Sequence, residues 1–295
     1  MHHPLPRVRA RQIGDADIEA VVELLTRGFA PRRTREYWQQ GLDRMAARPP
    51  LEGAPKFGYL MESAGVPVGA ILLIHAAMRT GTSWSIRCNV SSWYVEPAFR
   101  GQAPLLISQA LKRRDITYVN MSPARHTRPI VEAQGFTRYS DGQYFALLMP
   151  SPFAKSRGTI VTADKIAAAE IAPGGLASHE RDLLIDHARF GCISLCACKD
   201  GIAYPFVFVP RILKRLVPCV QLIYCRSVDD LADFSRPIGT FLAARGRNLI
   251  LIDANGPIRG LMGKYVAGLA PKYFRGPAMP RLGDLAYTEA ALFGM

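Results

Sequence analysis

The chain has 295 residues, about twice the usual length of a single domain, so its length predicts two domains. Hydrophobic residues make up 49% of the sequence and charged residues 21%, a balance that excludes an intrinsically disordered chain. The longest apolar run, residues 69–74, is too short to cross a bilayer, so we expect no membrane span. The N-terminus lacks the apolar core of a secretory signal, and the expected location is therefore the cytoplasm.

The formal net charge of +13 favours anionic partners, which include nucleic acid, anionic lipid and polyphosphate cofactors. Most of the 37 basic residues are arginines scattered along the chain, which a coding bias toward arginine also explains. No basic helix with interleaved aromatic residues occurs in the sequence. Nucleic-acid binding therefore ranks below the hypotheses that specific motifs support.

The six cysteines predict neither a metal site nor a disulfide framework. Cys192, Cys196 and Cys198 are separated by even numbers of residues, which places all three on one face of a strand. Their spacing differs from that of paired zinc ligands. We interpret them as small apolar residues of a buried strand in a reducing compartment.

The first half of the chain predicts alternating strands and helices that end near residue 150. A strand over 7–13 is followed by a helix that begins after the N-cap Asp15 and ends at Gly28, and a second amphipathic helix covers 35–47. The later predicted elements are hairpin strands over 57–62 and 68–74, a strand over 85–95, a helix over 105–111, a strand over 116–121, a helix over 127–134 and a strand over 144–149. The proline-rich segment 150–152 marks the expected domain boundary.

The second half repeats this rhythm without a visible sequence repeat, which predicts an internal duplication. Its predicted elements are strands over 191–198, 203–209, 218–225 and 248–253, helices over 228–245 and 258–269, and a closing segment over 284–293. Both halves therefore indicate a mixed α/β architecture.

The most informative segment covers residues 93–106, where a strand ends at Val95, a loop passes through Arg100 and Gly101, and a helix begins near Leu105. This arrangement points free backbone N–H groups and the positive end of a helix toward one place, which suits a phosphate group. The glycine spacings of nucleoside-triphosphate loops and of dinucleotide-binding folds are both absent from the sequence. The segment therefore predicts a phosphate site of another kind.

These residues resemble the GNAT superfamily of acyl-CoA N-acyltransferases. The match rests on Val95-Glu96-Pro97, on Arg100-Gly101 and on Gly135-Phe136 after the late helix, and it covers residues 7–150. The resemblance implies an α/β (α+β mixed sheet) N-acyltransferase-like fold in two tandem copies. One copy over 1–150 would bind acetyl-CoA or another acyl-CoA as the donor, without a metal, and a degenerate copy would cover 156–295. The residues that would contact the donor are Tyr94, Val95, Arg100, Gly101, Gln102, Ala103 and Leu105.

Departures from the family pattern have physical consequences. Ala103 stands where the loop usually has glycine, and Leu105 at the last small position narrows the approach of the backbone to a pyrophosphate. Pro104 removes one N–H group, so we expect a weak donor affinity. The tyrosine that serves as general acid in many relatives is absent, because Val131 stands in its place.

The resemblance implies direct attack of a neutral amine on a thioester carbonyl, which a backbone N–H near the end of the Val95 strand polarises. The candidates for proton transfer are Ser92, Glu96, His126, Tyr94 and Tyr139. None stands out, since Glu96 also fits a solvated loop carboxylate, His126 fits a helix cap, and Ser92 would act through a water molecule. Cys88 is interpreted as a core residue rather than as an acyl-enzyme nucleophile.

The second half carries no comparable strand end and no phosphate loop between Cys225 and Leu231. Ser227 instead predicts a helix N-cap, and the acidic residues at 229 and 230 would repel a pyrophosphate. We expect this domain to have lost the cofactor and to shape the acceptor site. Glu289, among apolar neighbours, fits either a ligand of the acceptor amine or an edge-strand charge.

The leading hypothesis is an N-acyltransferase that transfers an acyl group from acyl-CoA to an amine. The alternative is a non-catalytic acyl-CoA-binding or regulatory module, which the missing tyrosine and the altered loop favour. The sequence does not determine the amine acceptor, the length of the acyl chain or the oligomeric state.

Overall fold

The computed structural model describes residues 7–80, 83–149, 158–168, 174–214 and 216–294. The chain divides into two compact units. Unit 1 consists of Met1–Thr137 and Tyr273–Met279, and unit 2 of Arg138–Lys272 and Pro280–Met295. This division differs from the expected one at residue 150, because the strand predicted to close the first domain pairs within unit 2. The proline-rich segment 150–152 lies outside the described residues.

Unit 1 carries the elements that the first half predicted. Its strands are β1 Val8–Gln12, β2 Gly58–Ser63, β3 Val66–Thr80, β4 Ser83–Val95 and β5 Thr117–Asn120. Its helices are α1 Ile18–Phe29, α2 Arg35–Ala46, α3 Ala103–Ala110 and α4 Arg128–Ala133, with 3-10 helices at Asp15–Asp17, Pro97–Gln102 and Arg125–Thr127. The predicted order of strands and helices is confirmed here, with β3 extending beyond the predicted end of its hairpin.

The sheet of unit 1 follows the order β1-β2-β3-β4-β5, and a last strand, formed by residues 273–275, pairs with 118–120 of β5. Neighbouring strands are antiparallel except for β4 and β5, which are parallel. α1 buries Val21, Leu24 and Leu25 at helical spacing, as its apolar periodicity predicts. The apolar residues of α3 belong to the same core cluster as the apolar residues of β4.

Unit 2 repeats this architecture. Its strands are β6 Thr137–Leu147, β7 Thr159–Thr162, β8 Ile193–Lys199, β9 Ile202–Leu213, β10 Val217–Cys225, β11 Leu249–Ala254 and β12 Gly263–Arg275. Its helices are α5 Ala163–Ala167, α6 Ser178–Arg189, α7 Val228–Asp233, α8 Ser235–Ala243 and α9 Glu289–Leu292. The sheet order is β7-β8-β9-β10-β11-β6-β12, with β10 and β11 parallel. The predicted duplication and the mixed α/β fold are therefore confirmed.

Three predictions for the second half are wrong. The helix over 258–269 is absent, because Gly260 and Gly268 adopt positive φ angles of 83° and 71° and the chain forms β12. The helix over 228–245 is divided into α7 and α8 at Phe234. The closing segment contributes one isolated bridge at Asp284 and then α9, so Glu289 begins a short helix rather than lying in an edge strand.

No helix among the residues described is long and apolar enough to cross a membrane.

An ion pair between the half-buried Arg226 and the buried Glu180 joins the residue after β10 to α6 in unit 2. Arg226 donates from Nε to Glu180 Oε1 at 2.7 Å and from Nη2 to Oε2 at 2.5 Å, and Glu180 is 4% exposed. The same guanidinium also donates to the carbonyls of Gly175 and Ala203. Burial opposes ionisation of Glu180, but the bonds and charge of Arg226 outweigh it and hold the pKa of the carboxyl below its usual value of 4.5.

Replacing Arg226 by Met should lower the free energy of unfolding by about 3–5 kcal/mol at neutral pH, since a buried carboxylate loses its partner. A carboxyl whose pKa is lowered by folding stabilises the protein above the unfolded pKa and loses that effect as the pH falls. The difference between variant and parent should therefore shrink below about pH 4.5 in urea titrations. The control is Arg189→Met, whose exposed pair with Asp186 spans 3.7 Å and should cost less than about 1 kcal/mol. Equal losses in both variants would contradict the assignment.

Candidate active site

Two parallel strands of unit 1 separate after a short pairing, and we call the space between them the groove. β4 and β5 pair only over 87–89 and 117–119, and β4 then continues to Val95 without β5. Asn89, 1% exposed, holds the apex by donating its amide to the carbonyls of Val90 at 3.2 Å and Val119 at 3.3 Å. Within the described part of the chain, no strand pairs with the β5-facing edge of residues 93–95. Unpaired backbone donors and acceptors therefore line one wall of the groove.

A β-bulge at Ser92 shapes this wall. Leu72 of β3 pairs with Ser91, whereas Ala70 pairs with Tyr94, so two residues of β4 lie opposite one residue of β3. Ser92 adopts a left-handed conformation with φ 47°. An extra residue in one strand bends it and redirects the backbone groups beside it. The bulge therefore redirects backbone groups of the strand that borders the groove, at the position where the two serine hydroxyls lie 3.0 Å apart.

The bulge also reverses the alternation of side chains in the rest of β4. Val90, Trp93 and Val95 all pack on the side of α3, although strict alternation would place Val90 and Val95 on opposite faces. Tyr94 accordingly faces α1, where a Cβ at Gly28 would lie 2.5 Å from its ring. The predicted donor contacts of Tyr94 and Val95 thus belong to opposite sides of the sheet.

The segment after β4 is a 3-10 helix rather than an open loop. Within it, the N–H of Phe99 bonds to the carbonyl of Glu96, and the N–H of Ala103 bonds to the carbonyl of Arg100. Pro104 follows in the first turn of α3 and has no N–H. The segment consequently offers fewer free N–H groups than the sequence led us to expect.

Gly101 lies on the exposed side of this 3-10 helix. Its φ is not positive, and no described atom lies within 4 Å of the position that a Cβ would occupy. The backbone conformation therefore does not require glycine at position 101, and the absence of a side chain leaves open space there. Arg100 beside it is exposed, whereas Ala103 and Leu105 are half-buried.

The proton-transfer candidates are brought together only in part. Ser92 lies at the groove, and Glu96 follows the end of β4, where Arg27 Nη2 lies 3.1 Å from its Oε1. His126 lies exposed in the 3-10 helix before α4. Tyr139 belongs to β6 in unit 2, where its carbonyl accepts a bond from Asn255. Tyr139 is therefore not a residue of the unit that contains the groove.

The late helix ends as predicted at Gly135, which has φ 82°. Val131, in the place of the missing tyrosine, is 5% exposed and packs in the core, as does Phe136. The position that holds a general acid in many relatives is thus filled by a buried aliphatic side chain.

Two titratable groups of the sheet do not serve the groove. Cys88 is fully buried in the core cluster, and burial raises the pKa of its thiol, which agrees with its interpretation as a core residue. Burial and the cations of Arg113 and Arg48 lower the pKa of His75 to about 4. His75 lies four residues along β3 from Ile71, the residue opposite the bulge, which corresponds to about 13 Å.

Sequence reasoning missed the indole of Trp93. Its Nε1 is buried and has no hydrogen-bond partner among the described residues, although the residue adjoins the bulge on the groove strand. A buried donor without a partner is costly, and a bound ligand would remove that cost. For the β-bulge, the one signal in the sequence is the pair of adjacent serines, Ser91 and Ser92, within an otherwise apolar strand.

Unit 2 contains the corresponding groove with the same irregularity. β10 and β11 pair in parallel only over 219–221 and 249–251. Leu222 pairs with Phe208 and Tyr224 with Val207, which leaves an extra residue at Ile223. The splayed strands and the bulge are therefore properties of both copies.

In unit 2 this groove is filled by the chain itself. Leu285 donates its N–H to the carbonyl of Ile223 at 2.7 Å, and Cys225 donates to the carbonyl of Gly283 at 2.9 Å. β9 already occupies one edge of β10, so the segment 283–285 pairs with the edge that faces β11. Gly283 is required there, because it has φ 76° and a Cβ would lie 2.7 Å from the sulfur of Cys225.

The segment is anchored further along at Tyr287. Its N–H donates to Nε2 of the buried His187 at 3.1 Å, and its hydroxyl donates to Asp186 at 2.9 Å. Ser227 caps α7 directly after β10, as predicted, and Asp230 accepts from the Ser227 N–H at 3.0 Å. Unit 2 therefore has, among its described residues, neither an open groove nor the 3-10 segment that follows β4 in unit 1.

Among the described residues, no group of three or more His, Cys, Asp or Glu side chains is placed to hold a metal ion.

The left-handed bulge predicts opposite effects of two substitutions at Ser92. Ser92→Gly should keep or raise the free energy of unfolding by up to about 1 kcal/mol, since glycine adopts this conformation without strain. Ser92→Val should lower it by about 1–3 kcal/mol, because a β-branched residue at positive φ is strained. Chemical denaturation of both variants checks this, with Ser91→Val as the control one residue away. A Ser92→Val protein more stable than its parent would contradict the bulge.

No family model and no curated protein matches the sequence. Solved structures do match the fold. A putative acetyltransferase from Pyrococcus horikoshii is 15% identical, with 97% of this chain and 96% of that chain covered and a TM-score of 0.57. A probable N-acyltransferase from Enterococcus faecalis is 10% identical over 95% and 73% of the two chains, with a TM-score of 0.59. A GCN5-related N-acetyltransferase from Anabaena variabilis is 10% identical over 91% and 72%, with a TM-score of 0.55. The chain therefore has the fold of the GNAT acyl-CoA N-acyltransferases.

Proposed function

We propose that the protein is an N-acyltransferase in which unit 1 binds acyl-CoA and passes its acyl group to an amine. The observation that carries this proposal is the open groove between β4 and β5, with the bulge at Ser92 in its wall. The pantetheine arm of CoA is extended and contains two amides, so it can pair with the free edge of residues 93–95 as an added strand would. This pairing orients the thioester along β4.

The phosphate groups of the donor are assigned to the segment from Arg100 to Leu105. Arg100 supplies an exposed cation, and the open space over Gly101 lets a phosphate approach the backbone. The 3-10 winding and Pro104 reduce the number of N–H donors, which supports the expectation of weak donor binding. Gln102 and Ala103 lie within the same turns and complete the proposed contacts.

Chemistry is assigned to the bulge. The redirected backbone at Ser92 would polarise the thioester carbonyl, and the paired hydroxyls of Ser91 and Ser92 would orient a water molecule that accepts the amine proton and passes it to solvent. The N–C bond forms as the C–S bond breaks, and the departing CoA thiolate takes its proton from water. Glu96 is held by Arg27 and fits a role in fixing the end of β4 better than one in proton transfer. With Val131 buried, the thiolate would leave without a tyrosine acid.

One observation favours a second function, that of a non-catalytic acyl-CoA-binding module. Of the proton-transfer candidates in unit 1, Glu96 is paired with Arg27 and His126 is exposed on the segment before α4, so neither is held ready as a base. Binding of acyl-CoA without turnover over a broad panel of amines would support this function. For unit 2 we propose a role in shaping the acceptor site, because the segment 283–285 fills its own groove.

Calorimetric titration of the full chain with CoA, acetyl-CoA and a long-chain acyl-CoA tests the donor assignment. We expect one site per chain, since one groove is open and the other is filled, and an affinity that depends on the acyl group. Ligand at about 100 times its dissociation constant should stabilise the protein by about 2.7 kcal/mol in a thermal unfolding assay. Binding of no thioester, or of two per chain, would overturn the assignment.

Two substitutions at Gly101 test the phosphate contact. Gly101→Glu should weaken CoA binding at least about tenfold, because a carboxylate enters the space proposed for a phosphate. Gly101→Ala is the matched control, and it should leave both the unfolding temperature and the binding within about twofold, since its Cβ meets no described atom. Unchanged binding by a folded Gly101→Glu protein would place the phosphates elsewhere.

A further inference from the structure

The hairpin of β9 and β10 forms a two-stranded arm in unit 2. β8 pairs with β9 only as far as Phe208, and β11 pairs with β10 only from Cys219 onward. Over residues 209–213, β9 therefore has β10 as its only strand partner in the described structure, and residues 212–213 and 217–218, which pair with each other, extend past both neighbouring strands. We call these residues, with the described residues of the turn, the β9–β10 arm.

The end of the arm exposes large aliphatic side chains. Leu216 is 83% exposed, Ile212 64% and Val217 47%. At the same end of the sheet, β6 and the start of β12, which lie two and three strands from β10, add Leu147, Met149 and Met262, and the backbone N–H of Leu147 donates to the carbonyl of Met262. Together these six residues are half of the twelve exposed large hydrophobic residues in the described parts of the chain. Such clustering marks an interaction surface.

The same surface carries cations without carboxylates. Lys214 and Lys264 are exposed, and Arg247 donates to the carbonyls of Arg211 and Cys219, which ties the arm to the start of β11. The segments that form this end of unit 2, 144–149, 209–220, 243–250 and 258–265, contain no Asp or Glu. We call this surface of exposed aliphatic side chains and cations the basic rim.

We propose that the basic rim docks peripherally on the surface of an anionic lipid bilayer, with Ile212, Leu216 and Val217 entering the headgroup region. Aliphatic residues surrounded by Lys and Arg are the composition that binds the interface of anionic membranes. A second copy of the chain fits less well, because two such rims repel one another. A protein partner is less suited too, since interface anchors are mostly Trp, Tyr and Arg, whereas the exposed side chains named here are aliphatic, Met or Lys.

Cosedimentation of the full chain with vesicles tests this proposal. We expect binding to vesicles of phosphatidylcholine mixed with phosphatidylserine, little binding to phosphatidylcholine alone, and weaker binding as salt rises. Lys214→Gln and Lys264→Gln should each lower the partition coefficient about fivefold, the change that corresponds to about 1 kcal/mol per cation near such a surface. Ile212→Ser combined with Leu216→Ser should lower it further at constant charge.

The matched controls are Lys199→Gln, at an exposed cation that ends β8, and Ile202→Ser, at the exposed aliphatic residue that begins β9 opposite it and far from the arm. Both should leave vesicle binding and thermal unfolding unchanged. Equal binding to both kinds of vesicle, no binding to either, or equal losses in the controls would overturn the proposal. Binding to poly-glutamate with none to anionic vesicles would assign the rim to an acidic protein and would likewise overturn it.

Discussion

The short parallel pairing of β4 and β5 is the constraint on which the rest of unit 1 depends. Three paired residues on each strand hold the sheet together, and the amide of Asn89 closes the apex where the pairing ends. The bulge at Ser92 then bends β4 away and leaves the edge of residues 93–95 without a strand partner in the described structure. Sheets normally cover an unpaired edge, and this one lies in the interior of the strand order.

The two copies differ in what pairs with the edge that the separated strands leave exposed. In unit 2 the strands also separate after three paired residues and β10 also bulges, but the segment 283–285 takes up the exposed edge. That segment occupies the groove of unit 2, and its backbone groups form hydrogen bonds with the edge of β10. The two copies differ in the segment 283–285, which lies far along the chain from the strands that it pairs with. The splayed strands and their bulges are alike in both copies, so they do not by themselves distinguish the open groove from the filled one.

The sequence predicted the elements of both units that depend on local signals. Apolar residues at helical spacing in α1, the N-cap Ser227 of α7 and the turn after Val95 each act over a few residues. The bulge at Ser92 was not predicted, because one extra residue in a strand leaves only two adjacent serines as its trace. The strand β12 was mistaken for a helix, since its apolar residues recur at helical spacing while Gly260 and Gly268 require positive φ. The filling of the second groove depends on contacts some 60 residues apart, between Ile223 and Leu285, which no local pattern encodes.

The strand β5, which forms the second wall of the groove, is supported by residues 273–275. β5 has four residues, and its outer edge pairs with residues 273–275. Tyr273 is fully buried in the core of unit 1 and donates to Glu132, while Arg275 donates to the carbonyl of Gln134 at the end of α4. A fragment that ends at residue 150 would lose this strand, the buried ring and the bond at the end of α4, and it would expose the edge of β5. Residues 273–275 of the last strand therefore belong to the sheet that forms the groove of unit 1, so the first half of the chain alone does not form a complete unit.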